Sequence, residues 1–153
     1  MPASRSRRPA RCTPQLETLG DRVVPAVGFS TVNDNWAIVT DTGAPGLSAG
    51  DTVRNDNDTI APGTIVGTFG TDAFASINAA IAETLAGGTV RVLEGTYSEK
   101  VEVNKTLTLR GAQAGVDART RTGVAESVLD ANANGETLLN VTASDVVIDG
   151  FTV

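Results

Sequence analysis

The sequence contains no histidine, only one cysteine and few aromatic residues. Aromatic residues make up 4% of the 153 residues. Without histidine, the chain has no imidazole general base, no histidine partner for a nucleophile and no histidine-ligated zinc site. The single cysteine, Cys12, has no internal partner for a disulfide, so cysteine usage does not indicate a cellular compartment.

Long hydrophobic runs and an excess of positive charge are also missing. No stretch approaches the roughly 20 apolar residues of a membrane-spanning helix, so we expect no membrane span. The formal net charge is -6, and basic residues cluster only near the N-terminus, which argues against a nucleic-acid partner. The length suits one domain, and 16 glycines among many valines and threonines are typical of short strands joined by turns.

Residues 87–112 contain three short runs in which apolar and polar residues alternate. The apolar positions are Val90 and Val92, Val101 and Val103, and Leu107 and Leu109. Alternation with period two places these side chains on one face of a strand. No tight Asn-Gly hairpin turn separates the runs. The pattern therefore predicts short strands, each with one buried face, stacked around polar corners.

A helix is predicted just before these strands, over residues 72–85. Its apolar side chains recur at spacings of three and four, at Phe74, Ile77, Ile81 and Leu85. Thr71 or Asp72 is placed to cap the N-terminus, and Gly87 is placed to cap the C-terminus. We expect this helix to cover the open end of the strand stack.

Residues 95–111 read G-T-Y-x-E followed by V-x-V-x-K-x-L-x-L-x-G. This motif resembles the first coils of right-handed parallel β-helix proteins, a group that includes pectinesterases and pectate-lyase-like proteins. With the helix, the resemblance covers residues 72–153. It implies an all-β fold: an incomplete right-handed parallel β-helix, a single-stranded solenoid, with one N-terminal capping α-helix. Residues 103–111 also match 141–150 with one residue inserted, a weak internal repeat.

A second resemblance lies near the N-terminus. Residues 15–26 read QLETLGDRVVPA and are similar to an L-E-x-L-x-D-R-x-x-P-A segment that opens many large exported or surface proteins of one bacterial group. The resemblance implies an extracellular or cell-surface location. The expected organisation is a basic leader or export segment over 1–27, an extended arm or short strands over 28–71, and the helix and coils over 72–153.

The chain ends at Val153, inside what the repeat predicts to be the next strand. We expect the open end either to continue in a longer chain or to pair with another copy. The implied function is a non-catalytic module that binds a polysaccharide or another surface protein. Trp36 and Tyr97 are the aromatic residues on which a sugar could stack.

The alternative function is the N-terminal portion of a carbohydrate-active enzyme resembling pectinesterase or a polysaccharide lyase. The pectinesterase-like chemistry uses an Asp nucleophile, a second Asp, an Arg and Gln residues from later coils, and no matching motif is present here. We therefore assign no catalytic, cofactor-binding or metal-binding residue, and we expect no cofactor.

Three local motifs have both a chemical and a structural interpretation. Asp41 lies in a D-T-G triplet, which aspartic proteases use and which is also an ordinary turn. The Asp/Asn-rich loop 51–59 has oxygens suited to calcium but not the EF-hand spacing, so a solvated Asx-turn loop is the alternative. Asp145 and Asp149 could form a carboxylate pair, or could occupy a corner and a solvent-facing position.

Overall fold

The computed structural model describes residues 27–43, 45–55, 58, 62–121, 125–130 and 137–153. The predicted leader therefore lies outside the described residues, apart from Val27. In chain order the elements are β1 (Val27–Val32), β2 (Ala37–Thr40), β3 (Thr52–Arg54), β4 (Val66–Thr68), β5 (Ala73–Phe74), α1 (Ile77–Glu83), β6 (Thr84–Val92), β7 (Gly95–Tyr97), β8 (Val101–Val103), β9 (Thr108–Arg110), a 3₁₀ turn (Ala118–Thr120), β10 (Ser127–Leu129), β11 (Leu139–Val141), β12 (Val147–Asp149) and β13 (Phe151–Thr152).

The described strands form four separate sheets. A five-stranded sheet has the order β12-β9-β6-β1-β5, and all of its pairs are parallel. Two smaller parallel sheets have the orders β13-β10-β7 and β11-β8. The fourth sheet, β2-β3-β4, is antiparallel.

The predicted fold class, an all-β single-stranded solenoid built as a right-handed parallel β-helix, is wrong. The chain combines parallel and antiparallel sheets with a helix, and its strands lie in several separate sheets instead of one solenoid. The alternation of apolar residues determines which face of a strand is buried, but it does not determine which strand pairs with which. Residues 37–68 supply the antiparallel sheet, because β3 pairs with a neighbour on each side in that sense.

Two groups of buried side chains hold these sheets together. The six alternating residues of 90–109 are at most 1% exposed and pack with Ile77, Ile81 and Tyr97. The second group, Trp36, Val53, Ala73 and Leu93, lies beside the antiparallel sheet. The inward-facing residues predicted from the alternation are thus confirmed as core residues.

Helix α1 is shorter than predicted and has different caps. Its N-cap is Ser76, which replaces the predicted Thr71 or Asp72, and its C-cap is Thr84, which replaces Gly87. The first residues of the predicted helix form β5, in which Ala73 and Phe74 pair with β1. Backbone pairing with a neighbouring strand thus overrides their helical spacing. Neither helical segment in the described part of the chain is long and apolar enough to cross a membrane.

Candidate functional site

The outer face of the five-stranded sheet carries two arginines side by side. Strands β6 and β9 pair so that Arg91 lies opposite Arg110, and both side chains are exposed. Their neighbours Val90 and Leu109 are fully buried, so successive side chains point to opposite faces of the sheet. Because neighbouring strands are about 4.8 Å apart, the two guanidinium groups start from adjacent positions on the surface.

Phe29 and two threonines complete this surface, which we call the arginine face: Phe29, Thr89, Arg91, Thr108 and Arg110. Phe29 pairs with Thr89 across β1 and β6, and Thr89 pairs with Thr108 across β6 and β9. Phe29 is 52% exposed, a high value for a phenyl ring on a sheet. The arginine face therefore combines an aromatic ring, two hydroxyl groups and two positive charges.

The two arginines of this face have no hydrogen-bond or ion-pair partner among the described residues. Like charges on directly opposed residues of neighbouring strands destabilise a sheet. An anion bound between Arg91 and Arg110 would remove that repulsion and would accept charge-assisted hydrogen bonds.

Two open clefts meet at this face. One, of about 320 Å³, is lined by Phe29, Thr89, Arg91, Arg110 and the small residues that follow Arg110. The other, of about 290 Å³, extends from Phe29 and Arg91 toward Trp36 and Val66. Phe29 and Arg91 line both clefts, so an extended ligand could contact them along its length.

Buried hydrogen bonds hold the strands beneath the face. The hydroxyls of Ser30 and Thr84 are hydrogen-bonded at 2.7 Å in the interior between β1 and β6. The Ser127 hydroxyl accepts from the Ala112 N–H at 2.7 Å and donates to the Leu93 carbonyl at 2.8 Å. These contacts restrain the ends of the strands that carry the arginines, which limits the entropy lost on binding.

An acidic surface adjoins the arginine face, since Arg91 lines a cavity of about 40 Å³ together with Asp58 and Glu94. A cleft of about 290 Å³ is lined by four carboxylates, those of Asp34, Asp58, Glu94 and Glu126, together with residues such as Gly95. Glu126 is paired with Arg121 at 3.7 Å, and Asp34 Oδ2 accepts from the Thr96 N–H at 3.1 Å. Among the described residues, no three His, Cys, Asp or Glu side chains converge closely enough to form a metal cluster.

Asn33 and Asp58 form a buried pair beneath this acidic cleft. Asn33 is 0% and Asp58 5% exposed, and Asn33 Nδ2 donates to Asp58 Oδ2 at 3.1 Å. Burial raises the pKa of Asp58, and a hydrogen bond from the Asn55 side chain opposes that rise while the charges of Glu94 and Asp34 add to it. Asn33 Oδ1 and Asp58 Oδ1 have no hydrogen-bond donor in the parts of the chain that the structure describes.

The structure uses Asp41 and Asp51 in turns. Asp41 is exposed, and its Oδ1 accepts from the Gly43 N–H at 3.0 Å, which is the turn interpretation of the D-T-G triplet. Asp51 accepts from the backbone and hydroxyl groups of both Thr42 and Ser48 at 2.8–3.0 Å. The backbone N–H of Thr42, and next that of Ser48, hold the pKa of Asp51 below its ordinary value. Both Asp51 oxygens are therefore occupied and do not face a shared calcium position.

The remaining candidates have structural roles. Residues 56, 57 and 59 of the Asp/Asn-rich loop 51–59 lie outside the described residues, and Asp58 is the buried partner of Asn33. Asp145 is exposed in a turn with φ of 54°, whereas Asp149 Oδ2 accepts from the Gly115 N–H at 2.7 Å. These positions match the corner interpretation better than a catalytic carboxylate pair.

Neither aromatic residue proposed for sugar stacking presents its ring to solvent. Trp36 is 9% exposed and its indole N–H donates to the Phe74 carbonyl at 2.9 Å. Tyr97 is 3% exposed and its hydroxyl donates to the Leu93 carbonyl at 3.1 Å. The exposed ring is that of Phe29, which sequence reasoning missed. Burial does not alternate after Phe29, since Ser30, Thr31 and Val32 are all buried, so no local signal in the sequence indicated the exposure of Phe29.

No family model, no curated protein and no solved structure matches the chain. A function for it is therefore argued from the geometry of its surfaces.

Proposed function

We propose that the chain is a non-catalytic module of an exported or cell-surface protein, and that its arginine face binds an acidic polysaccharide. The observation that carries this proposal is the in-register pair Arg91 and Arg110 on an exposed sheet face, where neither arginine has a partner within the described part of the chain. The exported setting rests on the similarity of residues 15–26 to the export segment.

The two positive charges of the arginine face are complementary to a polysaccharide whose sugars carry carboxylates. Guanidinium groups bind carboxylates through paired hydrogen bonds, and two of them in adjacent positions can engage an anionic polymer at more than one point. The whole chain carries a net charge of -6, so long-range attraction does not draw a polyanion to it. Binding should therefore depend on this local pair of positive charges and weaken as salt screens them.

Phe29 and the threonines fit the sugar rings themselves. A half-exposed phenyl ring offers an apolar surface for the C–H face of a sugar, and the hydroxyls of Thr89 and Thr108 can donate to or accept from ring hydroxyls. The described lining of the 320 Å³ cleft contains no carboxylate. Glycoside hydrolysis usually needs two, so this cleft is better suited to binding than to hydrolysis.

The test is binding of the purified chain to polygalacturonate in a buffer that contains a chelator, measured by affinity electrophoresis or calorimetry. Arg91→Gln and Arg110→Gln should each weaken binding about tenfold, which corresponds to about 1.4 kcal/mol. The matched control is Arg119→Gln, which removes an exposed arginine that is paired with Asp117 and is not among the residues lining the two clefts. Dextran, a neutral polymer, should not bind.

Three results would contradict the proposal. The wild-type chain would fail to bind polygalacturonate at low salt, or Arg119→Gln would weaken binding as much as the two face variants do. Equal retention on dextran would show that charge is not recognised. Release of shortened or unsaturated sugars during the assay would instead support the enzyme alternative.

A further inference from the structure

The outer edge of β12 has no partner strand among the described residues. β12 is the terminal strand of the sheet order β12-β9-β6-β1-β5. The Val147 N–H donates to the Leu107 carbonyl at 3.1 Å, and the Asp149 carbonyl accepts from the Gly111 N–H at 2.8 Å. Because the backbone groups of successive strand residues point to opposite edges, the N–H and C=O of Ile148 point away from β9, toward the open edge.

The side chains at this edge are apolar and incompletely covered. Ile148 lies opposite Leu109 in the row of inward-facing residues, and Leu109 is fully buried whereas Ile148 is only partly buried. On the outer face of the same strand, Val147 is 54% exposed. Proteins commonly protect an edge strand from association with lysine or proline residues. β12 contains neither, and its one charged residue is Asp149.

The far edge of the same sheet is closed within the chain. At β5, the Ala73 carbonyl accepts from the Gly70 N–H at 2.9 Å. The outer edge of β8 is closed in a similar way, since the Asn78 side chain accepts from the Glu102 N–H at 2.9 Å and donates to the Lys100 carbonyl at 2.7 Å. Head-to-tail pairing of β12 with the far edge of its own sheet in another copy is therefore blocked. Pairing of two identical β12 edges about a two-fold axis is not.

We propose that β12 pairs antiparallel with β12 of a second copy of this chain, about a two-fold axis beside Ile148. A residue whose N–H and C=O both point outward can exchange two hydrogen bonds with the same residue of an identical strand. In this register Ile148 lies opposite the partner's Ile148, so each side chain covers the other. Val147 lies opposite the partner's Asp149, so the two negative charges do not face each other.

This pairing has a consequence for the arginine face. A two-fold axis that relates antiparallel strands of one sheet is perpendicular to that sheet, so both copies turn the same face outward. The dimer therefore doubles the five-stranded sheet and places both arginine faces on one side. Under the proposed function, one polyanion could then engage both faces, which would raise its apparent affinity. The pairing of β12 does not itself rest on that function and is tested without a polysaccharide.

Sedimentation velocity of the full chain measures the association. A contact centred on a strand of 3 residues is smaller than a standard interface of roughly 800 Å² per partner, so we expect a dissociation constant on the order of 10–100 μM. Dimers should therefore form as the concentration rises through that range. Hydrogen exchange of the Ile148 amide should slow over the same range, because that N–H gains an acceptor only in the dimer.

Two charge substitutions at Val147 test the register. Val147→Glu places a carboxylate opposite the partner's Asp149 at two symmetric positions, and it should weaken association about tenfold. Val147→Lys places opposite charges there and should associate at least as tightly as the wild type. The matched control is Val39→Glu, the same change at a 50% exposed position of β2, which should leave association unchanged.

Four results would overturn the inference. They are a monomer at all concentrations up to about ten times the upper expected dissociation constant, growth into species larger than a dimer, an Ile148 amide whose exchange ignores concentration, or equal weakening by Val147→Glu and Val147→Lys. Equal weakening would show that the edge associates without the proposed register. The wild-type sedimentation and exchange measurements need no variant, so the inference stays testable if a substitution prevents folding.

Discussion

Glu99 joins two distant parts of the chain, and its removal should be costly. Its carboxylate accepts hydrogen bonds from the Ser76 hydroxyl at 2.8 Å and from the backbone N–H of Ile77 at 2.7 Å and Asn78 at 3.2 Å. The Asn78 side-chain amide donates a fourth bond at 2.8 Å. Because α1 has only seven residues, it would not form in isolation, and its N-terminal turn depends on this acceptor.

The size of the effect follows from the number and type of these bonds. A hydrogen bond to a charged group contributes about 1.5–3 kcal/mol, but bonds that share one partly buried carboxylate do not add fully. We expect Glu99→Ala to lower the free energy of unfolding by about 2–4 kcal/mol, because it leaves backbone N–H groups without a partner. For a chain of this length, that corresponds to a fall in Tm of about 5–15 °C. Glu99→Gln keeps one acceptor oxygen and should lose about half as much.

Urea and thermal unfolding followed by circular dichroism measure these changes. The control is Glu102→Ala, three residues away, whose exposed carboxylate contacts Lys100 at 3.2 Å and should contribute less than about 0.5 kcal/mol. If Glu99→Ala and Glu102→Ala had the same small effect, the carboxylate of Glu99 would not stabilise the N-terminal turn of α1.

Three further changes test other contacts. Tyr97→Phe removes a buried hydroxyl bond and should cost about 1 kcal/mol in urea unfolding; because burial raises the pKa of Tyr97, its ultraviolet phenolate signal should appear in an alkaline titration only when the chain unfolds. Gly111→Ala places a methyl group against the Gly150 carbonyl and should lower stability by more than about 2 kcal/mol, and a near-neutral result by thermal unfolding would contradict the close approach. The pKa of Asp51 is lowered chiefly by the Thr42 N–H. The stability that this carboxylate adds is therefore fully present above the unfolded-state pKa of 3.8 and is lost as the pH falls through the lower pKa of the folded state. Asp51→Asn should therefore be less stable at neutral pH and lose less stability below pH 3.8, as measured by urea midpoints across pH.

Local patterns in the sequence predicted the interior correctly. The alternation around Val90 and Leu109 identified the buried face of each strand, because a strand turns successive side chains to opposite sides whatever its partners are. The spacing of Ile77 and Ile81 identified the helix, since both are buried on one face of α1. The predicted boundaries of that helix were wrong because Ala73 and Phe74 pair with β1. No local sequence pattern indicates that pairing.

The candidate sites were much less accessible to sequence reasoning. Arg91 and Arg110 are 19 positions apart, and each alone reads as an ordinary solvent-facing residue. Asp58 lies in the Asp/Asn-rich loop 51–59, but no local pattern connects that loop with Asn33, its buried partner. Trp36 and Tyr97 were chosen for their type, but their burial depends on neighbours from distant parts of the chain.

The sequence by itself excluded histidine chemistry. It also determined which faces of the strands point inward and that a short amphipathic helix exists. Folding in three dimensions determined the number of sheets, the antiparallel pairing of β3, the juxtaposition of two arginines and the burial of Asn33 against Asp58. The physical reason is that side-chain periodicity is a local property of a few residues, whereas strand register depends on contacts between segments that are far apart in the chain.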